Sequence, residues 1–199
     1  MDINFRKYSI LDRFNVSRET CIDFEKFISL IREKNKEINI ISKKTDKMSI
    51  IRERHIIDSA QAIDFIDIND TICSDLGSGG GLPGIVLAIM MKNLNKSMKF
   101  KLYEKSHLKS VFLRDVSKQL NLNIEVIEQN IFEMSNLSSD TVIGRAFKPL
   151  PIVLELMTKN FANYKNLILF MGKNGKQTLK DAFKDWKFEY KEKMSLTSD

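Results

Sequence analysis

The sequence predicts an α/β protein: a Rossmann-like, mostly parallel sheet flanked by helices, behind an N-terminal helical extension. Three observations carry this. From residue 71 onward, short apolar runs alternate with longer amphipathic ones, the pattern of strands joined by right-handed crossover helices. A dense turn, Asp75-Leu76-Gly77-Ser78-Gly79-Gly80-Gly81-Leu82-Pro83-Gly84, follows the first run and holds five of the chain's eight glycines. Ahead of residue 67 the apolar residues recur at helical spacing. The 199 residues suffice for one sizeable domain plus an extension, expected as 1–66 packed on 67–199 in one compact unit.

The elements follow in order. Residues 18–34 read as an amphipathic helix, with Cys21, Phe24, Phe27, Ile28 and Ile31 on one face and Ser17 as N-cap. The stretch 35–42 is too polar and irregular for a helix. Residues 47–65 read as a second helix. Strands are expected at about 71–76, 99–104, 124–127, 141–144 and 166–170, with Trp186 to Tyr190 as a candidate last strand. Helices are expected at about 83–92, 106–120, 150–161 and 175–184, and a short element at 130–134. The stripe of the 106–120 helix is Leu108, Val111, Phe112 and Val116. Pro83 fits a first helical turn, where a missing N–H is harmless.

Strand, glycine turn and helix together suit a nucleotide-type cofactor: glycines admit a ligand to the backbone, and the helix N-terminus offers free N–H groups. The dinucleotide fingerprint wants G-x-G-x-x-G. Gly77 and Gly79 fill its first two places, but Leu82 stands at the third. Asp75 precedes the turn and Glu104 closes the second strand. That arrangement, acid-x-Gly-x-Gly and then a second-strand acid, resembles the class I methyltransferases, which bind S-adenosyl-L-methionine. The resemblance implies that the turn wraps the methionine part and that Glu104 takes the ribose hydroxyls. The turn, Glu104, Ile131–Phe132 and Arg145 all fall at carboxyl ends of expected strands, where such folds bind ligands.

Composition narrows the class. Hydrophobic content of 43% and charged content of 29% are ordinary for a globule. The net charge is +6, and residues 32–54 hold eight basic against four acidic residues. This stretch is either a solvated face or a phosphate-contacting surface beside the cofactor site. Cys21 and Cys73 lack metal-type spacing and are expected as buried free thiols in a reducing, cytoplasmic setting. Met1 to Phe14 lacks a signal-peptide core, and no run of 18 apolar residues suggests a membrane span. His55 is expected as a packing or capping residue and His107 as a surface one.

Four blocks resemble the ribosomal small-subunit RNA methyltransferase G family, also called glucose-inhibited division protein B. They are Asn39-Ile40 with Glu53-Arg54-His55-Ile56-Ile57-Asp58-Ser59, the Asp75 to Ile85 turn, the Lys105 to Val116 helix, and Gly144-Arg145-Ala146. The Leu-Pro-Gly ending of the turn is the most specific. The resemblance implies N7-methylation of a guanine in 16S rRNA of the small ribosomal subunit. It implies cofactor contacts at Gly77, Leu82, Ile131–Phe132 and Arg145; the fold logic adds Asp75, Gly79 and Glu104. The chain departs from the family pattern in three residues: Glu104 where Asp is usual, Phe132 where an acid is common, and Met171 in a frequent lysine position, with Lys173 two places on. With the chain ending at Asp199, a final strand is expected to be missing or rearranged.

Guanine N7 carries a lone pair and no proton, so it needs no base to become a nucleophile. Neither cysteine sits where a cytosine-C5 nucleophile would, and Lys148-Pro149-Leu150-Pro151 does not match the segment of amino-group adenine enzymes. Arg145 is the expected catalytic residue, its fork holding a phosphate, guanine O6 or the cofactor carboxylate, against the alternative of a structural ion pair. No metal is expected, and the chain is read as a monomer. The competing readings are a methyltransferase acting on a small molecule or protein, and a non-catalytic RNA-binding or assembly factor that keeps the fold.

Overall fold

The computed structural model describes residues 5–14 and 16–197; residues 1–4 of the expected extension, Asn15 and residues 198–199 lie outside the described residues. The first long helix, α1 (Arg18–Lys34), begins where expected, with Ser17 Oγ accepting from Thr20 N–H at 3.2 Å. Its apolar face, Phe24, Phe27, Ile28 and Ile31, is fully buried. The irregular stretch after it is held by one side chain: Asn35 Oδ1 accepts from the N–H groups of Ile40 (2.9 Å) and Ile41 (3.0 Å).

The expected single helix at 47–65 is helical throughout but not uniform. It runs from α2 (Met48–Ile51) through a π-helical turn (Arg52–Ile57) and α3 (Asp58–Ala60) into a 3-10 turn (Gln61–Phe65). Such π segments are rare and gather at functional sites. Within it Arg52 is internal: its fork grips Glu25 at 2.8 and 3.0 Å, and Tyr8 donates to the same carboxylate at 2.9 Å. One of the eight basic residues is therefore spent inside the protein on an acid the local count left out.

The rest of the chain runs β1 (Ile72–Leu76), α4 (Gly84–Leu94), β2 (Lys99–Tyr103), α5 (His107–Gln119), β3 (Ile124–Ile127), β4 (Leu137–Ser138), β5 (Thr141–Arg145), α6 (Leu150–Asn160), β6 (Phe161–Asn163), β7 (Asn166–Phe170) and α7 (Gly175–Ala182). Five strands form a wholly parallel sheet in the order β3-β2-β1-β5-β7, and β4 pairs with β6 in a small parallel ribbon. The order runs outward in both directions from β1, so the switch lies between β1 and β5. Opposite that crevice, Asp140 ties the strand starts together by accepting from Thr71 N–H (2.7 Å) and Ile72 N–H (3.1 Å) and pairing with Lys165 (2.9 Å). Residues of α1, α2 and the π turn share one apolar cluster with α4, β2 and α5.

Three expectations are corrected. Leu108 is 56% exposed; Ser110 turns inward instead, donating to the Glu104 carbonyl at 3.1 Å, while Leu113 joins Phe112 and Val116 in the buried face. Trp186 to Tyr190 form no strand. Phe188 and Tyr190 fold onto Phe183 just after α7, with ring centroids 4.5 and 5.7 Å apart, rather than adding to the sheet. Pro83 is the N-cap of α4 rather than a residue of its first turn. The ribbon β4–β6 was not foreseen, because two- and three-residue strands carry no periodicity. Cys21 and Cys73 are buried free thiols, as expected.

Candidate active site

The glycine turn sits at the carboxyl end of β1. Gly77, Gly79 and Gly81 have φ of 62°, 55° and 82°, a region that other L-residues avoid. Three neighbours press on the turn. Ile40 lies so close to Gly80 that a Cβ there would meet its Cγ2 at 2.7 Å. The Phe147 ring covers Gly77 in the same way, at 2.3 Å. Glu104 is buried and closes the turn against β2: Oε2 accepts from Gly79 N–H at 2.9 Å and Oε1 from Ser106 N–H at 2.8 Å.

Asp75 works from beneath. It is 1% exposed, and Oδ2 accepts from Gly84 N–H at 3.2 Å, the first residue of α4. Ile131 is buried in the second apolar cluster, so only its backbone can face a ligand. Phe132 is exposed and stacks on Phe147, centroids 5.8 Å apart and planes 15° apart. Leu82 is buried in the main core beside the turn.

Arg145 ends β5, and its side chain lies against the π turn. NH1 points at Arg54 O, Asp58 Oδ2 and Ser59 Oγ, all at 3.4 Å. NH2 meets His55 Nδ1 at 3.1 Å. Among the described residues, no acceptor lies within bonding distance of Nε. The next residue, Ala146, has φ of 51°, strained for a residue with a Cβ. That kink turns the chain so that Phe147 lands on Gly77. Beside it, Gly144, Phe147, Lys148, Phe170, Lys173 and Asn174 line part of a cavity of about 330 Å³ at the ends of β5 and β7.

The structure thus brings Gly77, Gly79, Glu104, Phe132 and Arg145 around one crevice. Asp75, Leu82 and the Ile131 side chain support it from below. Phe147, Thr45, His55 and Asp58 also gather here and are not among the expected site residues. His55 and Asp58 lie in the Glu53–Ser59 segment, and Phe147 follows Gly144-Arg145-Ala146 directly; spacing alone does not show that they converge.

Buried Asp75 and half-buried His55 titrate in opposite senses. Burial pushes the Asp75 carboxyl up to about 7, against the pull of Ser78, Gly84 and Arg145. Between about pH 4 and pH 7 the folded protein holds a proton there that the unfolded chain has lost, so this group makes stability fall as pH rises. Burial, and then Arg145, lower His55 to about 4. Between about pH 4 and pH 6.5 the unfolded chain holds a proton that folded His55 refuses, so this group makes stability rise with pH. The two effects offset each other. Asp75→Asn is expected to expose the second, so its melting temperature should climb faster from about pH 4.5 to 6.5 than the wild type's. Parallel curves for both proteins would mean that Asp75 is ionised throughout.

A parallel sheet with this switch point, a positive-φ glycine turn after β1 and an acid closing β2 define a class I methyltransferase. A solved structure of coclaurine N-methyltransferase, bound to N-methylheliamine and SAH, aligns with 83% of this chain and 46% of its own at a TM-score of 0.51 and 16% identity, a likeness that bears on the fold alone. The chain belongs to the rRNA small subunit methyltransferase G family, whose model matches residues 20–199. A protein of Pelagibacter ubique named ribosomal RNA small subunit methyltransferase G is 55% identical over 199 residues, covering 100% of this chain and 93% of its own. One of that name from Orientia tsutsugamushi (strain Ikeda) is 35% identical over 187 residues, 94% of this chain and 89% of its own.

Proposed function

We propose that this chain transfers a methyl group from S-adenosyl-L-methionine to N7 of a guanine in 16S rRNA. The observation that carries the reading is the meeting of the Glu104-closed glycine turn with Arg145 at the β1–β5 switch, in a chain of this family. The crevice suits the cofactor. Gly77 leaves a backbone surface that a Cβ would fill, and each Glu104 oxygen accepts one N–H, leaving a lone pair for a ribose hydroxyl. When bound, the cofactor supplies a methyl already activated on sulfonium.

The chain's own residues then have a modest task. Gly77, Gly79, Leu82 and the backbone at Ile131–Phe132 bind; Glu104 orients; Phe147 must swing off Gly77 to admit the methionine part. Arg145 presents Nε–H and one NH2 hydrogen to an oxygen of cofactor or base. Guanine N7 has no proton to lose, so alignment is the main catalytic device. Glu104→Gln keeps the size but puts an NH2 group opposite one backbone N–H. It should weaken cofactor binding about tenfold or more by calorimetry, and an unchanged Kd would remove Glu104 from the site.

Six of the eight basic residues between 32 and 54 are exposed: Arg32, Lys36, Lys43, Lys44, Lys47 and Arg54. Lys43 and Lys44 belong to the 3-10 turn Lys43–Thr45, and the Arg54 carbonyl touches Arg145, so this face adjoins the crevice. We read it as the surface that contacts rRNA phosphates, the extension 1–66 as its carrier on the 67–199 methyltransferase domain, and the protein as a cytoplasmic monomer. A second reading, a binding factor that no longer transfers methyl groups, is favoured by Phe147 lying on Gly77.

The test incubates 30S subunits, and separately naked 16S rRNA, from a strain lacking this activity with the protein and methyl-labelled cofactor. Product is mapped by the mild reduction and aniline cleavage that breaks RNA at N7-methylguanine. One guanine-specific break, with a rate that falls steeply as salt rises, is expected. Cofactor binding without label in either RNA would select the second reading.

A further inference from the structure

We propose that His55 is a positioning residue for Arg145: its Nδ1 aims the guanidinium, and its Nε2–H anchors that aim to the turn at 42–45. The inference rests on the role given to Arg145 above. Its basis is the order of donors and acceptors. Arginine is always a donor, so the 3.1 Å contact from NH2 requires a bare Nδ1 on His55. The proton of the neutral ring then stands on Nε2, which faces Thr45 Oγ1 at 3.2 Å. Thr45 Oγ1 in turn donates to Ser42 O at 2.9 Å, so its lone pairs are free to accept from the ring. Every hydrogen in the chain Arg145, His55, Thr45, Ser42 has one consistent place. A second proton on the ring would set donor against donor.

The other contacts of the guanidinium do not fix it. The three acceptors around NH1 all stand at 3.4 Å, the outer limit of a hydrogen bond. His55 makes the one contact of ordinary length, on the nitrogen beside the open Nε edge. The ring faces Arg145 from β5, Arg54 from its own π turn, Asp58 from α3 and Thr45 from the 3-10 turn. Its neutrality keeps it an acceptor among these cations. The same link couples the Lys43–Thr45 turn, part of the face read as meeting RNA, to the group at the reacting centre.

The test uses the full chain on 30S subunits, with cofactor Kd and thermal melting measured beside kcat and KM. Asparagine places its Oδ1 where Nδ1 stands, and glutamine reaches only the Nε2 position. His55→Ala and His55→Gln are expected to lower kcat about 10- to 100-fold with little change in cofactor Kd, while His55→Asn restores most of it. Thr45→Val, on a half-buried turn, should lower kcat severalfold in the wild-type background and change nothing in His55→Asn, where no Nε2–H remains to anchor. Equal losses for His55→Asn and His55→Gln, or a Thr45→Val effect that persists in His55→Asn, would overturn the proposal. Arg145→Ala runs alongside. If it is inactive while His55→Ala is wild-type, the His55 inference fails and the methyltransferase reading stands. If Arg145→Ala is itself active, the role of Arg145 fails first.

Discussion

Arg145→Ala is expected to lower methyl transfer to 30S subunits about 10²- to 10³-fold while leaving the fold intact. The size follows from the place of the group. Arg145 ends β5, beside the switch point, with a planar fork whose Nε edge no described residue takes. Burial lowers its guanidinium from the ordinary value, against the pull of Asp58 and Asp75, and an arginine keeps its charge in a protein, so the cation stands in a partly desolvated crevice where a charge–dipole contact is strongest. The fold should survive because the three NH1 contacts given up, to Arg54 O, Asp58 Oδ2 and buried Ser59 Oγ, all stand at 3.4 Å, so little bonding is lost with them. Asp58 keeps Gln61 Nε2 at 3.0 Å and Ser195 Oγ at 2.8 Å, and His55 keeps Thr45. Arg145→Lys should be nearly as inactive, since a point charge on a flexible stem cannot reproduce two parallel N–H donors. Single-turnover rates and cofactor Kd, measured together, divide the loss between binding and transfer. Activity above half of wild type in Arg145→Ala would return the residue to the structural ion pair with Asp58, 3.4 Å away.

The alternation of short apolar-leaning runs with longer ones was enough for the five-stranded sheet, although α4 is apolar all round and α5 carries a stripe. Glycine density placed the turn, since three residues with φ of 62°, 55° and 82° within five positions strongly favour glycine. What stayed illegible depended on distance along the chain. The Arg52–Glu25 pair spans 27 residues and removed a charge that a local count treated as surface. The His55–Arg145 contact spans 90 residues. A lone histidine on a helix gives no sign of what its ring faces, and nothing in the 47–65 pattern announces a π turn, because the same apolar stripe serves both windings. Asp75 was legible as the acid before the turn, but not in what its side chain touches. Its position suggested a ligand contact, and its buried Oδ2 also accepts from Gly84 N–H, which makes it a brace beneath the turn.

That brace leads to the second large effect. Gly84→Ala is expected to destabilise the protein by about 2–3 kcal/mol, lowering its melting temperature by roughly 5–10 °C, and to abolish cofactor binding. Gly84 opens α4, and in an open helix alanine would gain about 1 kcal/mol over glycine. Here its Cβ would stand 2.5 Å from Asp75 Oδ2 and 2.6 Å from Leu102 Cδ2. The first is the atom that accepts the Gly84 N–H, and the second belongs to a fully buried residue of β2, so neither can move cheaply. Relief requires α4 to lift from the sheet or Asp75 to turn away, and both release the end of the glycine turn. The penalty should shrink below about pH 7, where Asp75 is neutral and its loss of the N–H donor matters less. Gly172→Ala is the stability control: a Cβ there meets nothing within 4 Å, so its melting temperature should match wild type. If Gly84→Ala melts with the control and still binds cofactor, the packing of α4 on Asp75 is looser than these distances require, and Asp75 is not the brace of the turn.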